Sequence, residues 1–466
     1  MIPLRLAEIA GVVGGTVHGD ADLEVTGEAF LDTREPVPGG LFVAVPGERT
    51  DGHLHAGDAV AAGAAAVLAA RATEAPTVVV DDPVVALGRL ARHVLGRLDR
   101  VTVLALTGSQ GKTGTKDYLA QVLATAGPTV ATRGNNNNEL GVPLTVLRAT
   151  AGTRYLVLEM GARGLEHVSY LCGIAPPAVA AVLNVGSAHL GEFGSREAIA
   201  TAKGEIVEAL PPDGVAVLNA DDPLTVAMRP RTRARVLTFG AHGEVAWRSL
   251  VLDELGRPTF ELGYAGEWCP VRLDQLGAHQ VENAAAAAAM ALAVGLPLRA
   301  VAAALTASRQ VSRWRMELTQ RADGLVVVND AYNANPASMA AALDTLTTIG
   351  RRAGRRTLAV LGEMRELGAD APAEHRGVGR HAAEAGVDVV VTVGPEADAI
   401  SDGTRDVPGW QGRAVRTAGR EEALAWVREN VSAEDVVLVK ASRGAGLERV
   451  ADGLLAAPPD EGDRTP

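Results

Sequence analysis

The sequence predicts an α/β protein built of three units, and three observations carry that expectation. At roughly 150 residues per domain, 466 residues correspond to about three domains. Continuous apolar runs of strand length recur along the chain with helical segments between them, the pattern of parallel sheets covered by helices. Aromatic residues make up 3% and hydrophobic residues 47%, so the core must be packed from Ala, Val and Leu, as α/β layers are.

Residues 1–98 read as a small mixed α/β unit. Strand-like runs at Leu41 to Val45 and Thr77 to Val80 flank an Ala-rich run, Ala56 to Ala70, that reads as helical. Pro36 to Gly52 is rich in Pro and Gly and reads as mostly loop. A second unit, 99–310, opens on the continuous apolar run Val101 to Leu106, followed by a Gly-rich turn and a helical pattern from Lys112 to Ala126. Further strand-like runs stand at Tyr155 to Leu158, Val179 to Val185 and Val215 to Leu218. The longest apolar stretch, Ala284 to Leu298, is too short for a span and is broken by Gly295 and Pro297, so it reads as a buried helix. The third unit, 311–466, has strand-like runs at Leu325 to Val328, Thr357 to Leu361, Val387 to Val393 and Val436 to Val439. Helical segments such as Ser338 to Leu346 separate them, as in a smaller doubly wound, Rossmann-like sheet. The tail 458–466 is polar and Pro-rich and is expected to be disordered.

The formal net charge of -12 sets nucleic acid aside as a main partner, because binding a phosphate backbone needs a basic footprint. Two cysteines, Cys172 and Cys269, make neither a disulfide framework nor a metal cluster, and read as small buried hydrophobes. The N-terminus lacks a basic stretch followed by an apolar run, so no signal peptide and no membrane insertion are expected. A cytoplasmic monomer is the expectation. Of 44 basic residues only four are lysines, Lys112, Lys116, Lys203 and Lys440. Lysine is a slim charge that can become a neutral nucleophile, which arginine cannot, so these four are candidates for work arginine cannot do. Lys116 is read as a leftover surface lysine.

The run ending at Leu106 leads into Thr107-Gly108-Ser109-Gln110-Gly111-Lys112-Thr113-Gly114. Glycines let backbone N–H groups turn toward an anion, and a helix starting at Lys112 points its positive end the same way. Lys112 can neutralise phosphate oxygens and the Thr113 hydroxyl can ligate Mg²⁺. Strand, loop, Lys-Thr and helix together mark the second unit as a P-loop-type parallel-sheet ATPase domain, against the alternative of a tight turn that merely needs glycine. Two residues separate Gly108 from Gly111, where a Walker A loop has four.

Glu159 and His189 both follow strand-like runs, where ligand sites form in open α/β sheets. A carboxylate near a triphosphate is a natural Mg²⁺ partner, whereas histidine is an unusual one, and alone His189 would be read as structural. Lys203, in Thr-Ala-Lys-Gly-Glu-Ile, is read as opening a helix, where a cation is electrostatically disfavoured. On the residues alone an ordinary ion pair remains the better account of it. Asp330, just past a strand, stands where an α/β fold places an acid for ribose hydroxyls. Asn283 alone could be a plain helix cap.

The short loop GxxGK[ST] preceded by Thr107 resembles the Mur ligase and folylpolyglutamate synthetase superfamily. Over the chain to about Leu455, further motifs resemble the Mur ligase family. Gly277-Ala278-His279-Gln280-Val281-Glu282-Asn283 is similar to the family's Gly-x-His-Asn-x-x-Asn, with Gln280 replacing an Asn. Trp314-Arg315-Met316-Glu317 is similar to Gly-Arg-Met-Glu, with Trp314 replacing the Gly. The resemblance implies ATP, bound by Gly108 to Gly114, His279, Asn283, Arg315, Asp330 and Asn333. It also implies two Mg²⁺ ions with Thr113, Glu159 and His189 as ligands. Lys112, Glu159, His189 and a carbamylated Lys203 are then the catalytic set.

Asp330-Ala331-Tyr332-Asn333-Ala334-Asn335-Pro336, the run Gly134 to Gly141, and Leu361-Gly362-Glu363-Met364-Arg365-Glu366-Leu367-Gly368 are similar to one branch of the family. That branch joins D-alanyl-D-alanine to UDP-N-acetylmuramoyl-tripeptide in peptidoglycan synthesis. The N-terminal Asp32-Thr33-Arg34 and Asp51-Gly52-His53 resemble its uridine-binding domain. The Asp-Asn-Pro-Arg segment of the tripeptide-forming branch has no counterpart here. The resemblance implies that Asp32, Thr33, Arg34, Asn137, Asn138, Ser442 and Arg443 bind substrates. Ala441 replaces a Gly in the segment Lys440-Ala441-Ser442-Arg443, near the incoming dipeptide. The expected reaction is activation of a carboxylate as an acyl phosphate, then attack by the amine. Nucleotide groups on the last two units imply a cleft that closes on ligands. Two other readings stay open: a paralogue ligating a different peptide, and a nucleotide-switch ATPase. A guanine-reading Asn-Lys-x-Asp is absent; the nearest string, Asn219-Ala220-Asp221-Asp222, lacks the Lys.

Overall fold

The computed structural model describes residues 1–47, 50–186 and 193–456. His189 and the tail 458–466 lie outside the described residues. The fold is α/β, and the described chain divides into two compact units. One comprises Met1–Asn184, Ala200–Phe239 and Ala286–Pro297, and the other is the rest.

The first unit holds three sheets, one of them only the short antiparallel pair Leu4–Arg5 and Glu24–Val25. Of the two larger ones, the N-terminal has five strands in the order Thr16–His18, Thr77–Val79, Ala66–Ala69, Leu41–Val43, Ala29–Phe30, parallel except at the Thr16–His18 edge. Its third strand corrects the sequence expectation for Ala56 to Ala70. The helix is only Ala56–Ala61; after a turn, Ala66–Ala69 crosses the middle of the sheet. Ala-Val-Leu-Ala is fully buried there, and tertiary packing overrides the helical propensity of alanine.

The second sheet has six parallel strands: β1 (Thr102–Thr107), β2 (Thr129–Ala131), β3 (Tyr155–Glu159), β4 (Val179–Val182), β5 (Val215–Asn219) and β6 (Arg235–Phe239). Their order is β6-β5-β4-β1-β3-β2. Successive connections move to opposite sides of β1, so a topological switch point flanks that strand, where open α/β sheets form ligand crevices. The register pairs Glu159 with Leu106 and Val182 with Thr107, which brings the ends of β3, β1 and β4 to one edge. Helix α1 (Lys112–Ala124) follows β1, and α2 (Arg196–Glu208) precedes β5.

In the second unit, strands Ala246–Leu252, Pro258–Tyr264 and Glu267–Arg272 form an antiparallel meander that the sequence reading missed. Its signal was there. Buried and exposed residues alternate along Glu267–Arg272, and Ala265-Gly266, both at positive φ, make a two-residue hairpin turn. Helix α3 (His279–Ala293), whose residues to Ala285 fall in the second unit and the rest in the first, contains the expected apolar run, with Ala284 to Ala291 fully buried. The C-terminal sheet comprises β7 (Glu317–Gln320), β8 (Val326–Asp330), β9 (Arg356–Leu361), β10 (Val389–Val393), β11 (Arg413–Thr417) and β12 (Asp435–Lys440). The order is β7-β8-β12-β9-β10-β11, with β7 antiparallel. Its two edge strands, Glu-Leu-Thr-Gln and Arg-Ala-Val-Arg-Thr, mix polar and apolar residues and were not legible as apolar runs. The inner strands are buried on both faces: Val326 and Val328 pack with Met339, Leu343 and Leu346 of α4 (Pro336–Ala353), while Val327 packs with Val437 and Leu447 behind. No helix among the described residues is long and apolar enough to cross a membrane.

Candidate functional site

The phosphate-loop geometry is built by β1 and α1. Gly111, the residue before α1, is at φ +75, a conformation glycine enters without steric cost. The loop is pinned from β4's end: Ser109 N–H donates to Asn184 O at 3.1 Å and Gln110 N–H to Asn184 Oδ1 at 2.9 Å. Asn184 was not among the predicted residues. Its only sequence signal is a polar residue near the end of an otherwise apolar run. Lys112 Nζ donates to Gly108 O at 2.7 Å, which holds the ammonium over the loop.

Glu159 ends β3 and is almost completely buried. Its Oε2 accepts from the Thr113 hydroxyl at 3.0 Å, and its Oε1 from Asn137 Nδ2 at 2.8 Å. Its own N–H donates to Thr132 Oγ1 at 3.1 Å. The structure thus unites Thr113, Glu159 and Asn137 in one cluster of oxygen and amide groups. Asn138 instead closes the turn before Gly141–Val146, accepting from the Gly141 N–H at 2.9 Å.

Two lysines depart from their expected settings. Lys116 is not on the surface: it is 3% exposed, donates to Thr132 O at 2.9 Å and pairs with Asp117 Oδ1 at 2.6 Å. It therefore braces the segment that carries Thr132. Lys203 does not open a helix; it is the eighth residue of α2, too far along for the helix dipole at the N-terminus to act on it. It is 2% exposed, and no hydrogen bond or ion pair joins its ammonium to a described residue. Burial pushes its pKa well below the usual lysine range, and the charge on Lys112 pushes the same way. His189 lies outside the described residues.

In the second unit, Asp330 ends β8 opposite Lys440 of β12. Lys440 Nζ pairs with Asp330 Oδ2 at 2.6 Å and donates to Asn333 O at 2.9 Å, while Asp330 Oδ1 accepts from Met316 N–H at 3.0 Å. His279 and Asn283 lie in the first turns of α3, so Asn283 is not the helix cap. Gln280 links them: its Nε2 is 3.3 Å from His279 Nε2 and its Oε1 accepts from Asn283 Nδ2 at 3.1 Å. Burial lowers the His279 pKa, with Asp330 opposing and Lys440 adding. Arg315 lies over the Tyr332 ring at 4.0 Å and Arg443 over the Trp314 ring at 4.0 Å. Ser442 Oγ accepts from Arg365 N–H at 3.0 Å. A cavity of about 280 Å³ lined by Arg257, Asp274, Leu276, Gln310 to Arg313 and Met316 to Thr319 contains none of the predicted residues.

In the N-terminal sheet's loops, Arg34 forks onto Asp32, with Nε 2.9 Å from Oδ1 and Nη2 2.6 Å from Oδ2. Arg34 holds the Asp32 carboxyl down to about 2. Thr33 stands between them, partly buried.

Comparison with known proteins follows the same lines. Residues 106–291 match the Mur ligase middle domain, and 314–443 match the Mur ligase glutamate ligase domain. The UDP-N-acetylmuramoyl-tripeptide--D-alanyl-D-alanine ligase of Mycobacterium tuberculosis is 47% identical, covering 98% of this chain and 98% of its own. The ligase of that name from Escherichia coli is 35% identical over 97% of this chain and 99% of its own. A crystal structure of MurF from Acinetobacter baumannii aligns with a TM-score of 0.86 at 33% identity, covering 97% of this chain and 99% of that one. MurF ligase from Thermotoga maritima in complex with ADP aligns with a TM-score of 0.78 at 32% identity, covering 92% and 97%.

Proposed function

The chain belongs to the Mur ligase family, and from that premise we propose that it joins D-alanyl-D-alanine to UDP-N-acetylmuramoyl-tripeptide, completing the peptidoglycan precursor peptide in the cytoplasm. The observation that carries this reading is end-to-end likeness to ligases of that name. ATP is the energy source, in keeping with the ADP complex of the Thermotoga relative.

The donor set fits Mg²⁺, which prefers oxygen: the Thr113 hydroxyl and the Glu159 carboxylate lie 3.0 Å apart beside the phosphate loop. When bound there, the ion supplies charge screening and polarisation of the γ-phosphoryl group. In the first step the tripeptide carboxylate attacks the γ-phosphorus, the bond to ADP breaks and an acyl phosphate forms. In the second, the dipeptide amine attacks the acyl carbon, phosphate leaves and the amine gives up a proton. The chain's own part is positioning and screening. The N–H groups at the start of α1 and Lys112 Nζ cradle phosphate, and Asn137 keeps Glu159 aimed at the loop. Asp330 and Asn333 serve the nucleotide, and Ser442 and Arg443 the amine.

Lys203 works in this reading as a carbamate. Its neutral Nζ adds to CO₂, an N–C bond forms and one proton is released. Burial with no ion-pair partner among the described residues supports this, because it favours the neutral amine that the addition requires. His189 is the implied ligand of a second Mg²⁺. The test is ATP-dependent phosphate release. UDP-N-acetylmuramoyl-tripeptide plus D-alanyl-D-alanine stimulates it, and free D-alanine does not. Equal stimulation by free D-alanine or an L-amino acid moves the chain to another branch of the family.

A further inference from the structure

We propose that Trp314 is a positioning residue whose indole face holds the Arg443 guanidinium flat and presents its N–H edge to the carboxylate of the amine substrate. The proposal rests on the reading of Arg443 as part of the amine site.

Trp314 carries two local costs. Its backbone is left-handed at φ +58, a region glycine enters freely and a large side chain avoids. Its indole Nε1 is buried with no hydrogen-bond partner among the described residues. A glycine here would remove the first cost and a phenylalanine the second, so neither the backbone nor hydrogen bonding calls for tryptophan. What the indole supplies is a ring face. Arg443 Cζ lies 4.0 Å from its centroid and Arg313 Cζ lies 5.3 Å from it. Tyr332, whose N–H donates to Trp314 O at 3.2 Å, stands 5.9 Å from the same Arg443 and carries Arg315 at 4.0 Å.

The donors of a guanidinium lie in one plane by resonance, and a ring face beneath the group limits the directions that plane can take. A planar pair of donors is the geometry of bidentate carboxylate recognition. Arg443 Nη1 is ion-paired with Glu448 Oε1 at 3.6 Å, and with its side chain 51% exposed the rest of the fork is accessible to a ligand. The platform is fixed from below: Trp314 N–H donates to Glu317 Oε2 at 2.9 Å, and Met316 N–H to Asp330 Oδ1 at 3.0 Å. The three guanidinium groups around these two rings repel one another, and an anion bound across the Arg443 edge relieves that repulsion.

The experiment is steady-state phosphate release by the full chain, each substrate varied in turn, for wild type, W314G, W314F, R443A and the W314G/R443A double variant. W314G is expected to raise KM for D-alanyl-D-alanine about three- to tenfold, with kcat and KM for ATP changed less than about twofold. Its melting temperature is expected to hold, because glycine suits the backbone. W314F, which keeps a ring face, should stay near wild type, and W314G should add nothing in the R443A background. The proposal is overturned if W314G leaves KM for the amine unchanged, if W314F is as impaired as W314G, or if the two substitutions multiply independently. A wild-type protein that rejects D-alanyl-D-alanine but accepts another amine refutes the function proposed above instead. The same variants measured with that amine then decide the role of Trp314 by the same criteria.

Discussion

At the scale of single residues, Lys203 shows how burial replaces an argument that the sequence suggested. The helix-start electrostatics do not hold, since α2 begins at Arg196. The scarcity of lysine does hold, and burial of the amine is added to it. Arginine cannot become a neutral amine at accessible pH. Lys203→Arg is therefore expected to lose nearly all ATP-dependent phosphate release, and Lys203→Ala to recover part of it with added formate or acetate. Turnover close to wild type in the arginine variant would end the carbamate idea. A second residue-scale expectation concerns Asp51. Its carboxyl accepts from the His53 N–H and ring and pairs with Arg71, and its pKa is lowered from 3.8 to about 2. A depressed folded-state pKa contributes stability that is complete above the unfolded value and is lost as pH falls through the folded one. The melting-temperature gap between wild type and Asp51→Asn is therefore expected to be widest above about pH 4 and to close toward pH 2. A gap that grew on acidification would contradict the pairing. The Ala441 departure also has a local account. A side chain built on Gly362 would meet the Ala441 methyl at 2.8 Å, so the alanine fills space that the bare glycine leaves.

At the scale of elements, the turn before Gly141–Val146 decides where Glu159 points. Asn137 is tied twice to the end of β3: its carbonyl accepts from Gly161 N–H at 2.8 Å, and its amide donates to Glu159. Gly141 makes that approach possible, since a Cβ there would stand 2.2 Å from the Asn136 carbonyl carbon. Gly141→Ala must push the Asn136–Asn137 backbone away and release Glu159. We expect kcat to fall about 100-fold, the usual consequence of an ångström-scale misplacement. Steady-state kinetics alongside thermal unfolding would check it; full activity in a folded variant would show that Asn137 does not aim the carboxylate. Glu159 and Thr113 were legible because motif and strand end coincide in sequence. Asn184 and Thr132 were not, because a polar residue beside a strand has no signature until the sheet brings it to the loop.

At the scale of the molecule, two compact units each have their own sheets and apolar core. Unfolding is therefore expected to depart from a single two-state transition in calorimetry. ADP is expected to raise the transition of the unit carrying the phosphate loop, by about 2.7 kcal/mol at a hundredfold excess over Kd. Lys112→Ala should remove most of that shift without lowering the transition of the other unit. A single sharp transition, or a nucleotide shift untouched by Lys112→Ala, would count against this.

The sequence by itself determined the fold class, the family, the Gly-rich turn between strand and helix, and the placement of Glu159 at a strand's end. Each rests on local pattern: apolar runs of strand length, glycines at fixed spacing before Lys-Thr, an acid closing a run. The tertiary structure decided what depends on partners distant in sequence. It turned Ala66–Ala69 into a central strand and buried Lys116 and Lys203. It paired Lys440 with Asp330 across 110 positions and laid Arg443 on Trp314. Burial and long-range pairing are properties of the packed chain, and a linear pattern carries no record of which residues packing will enclose.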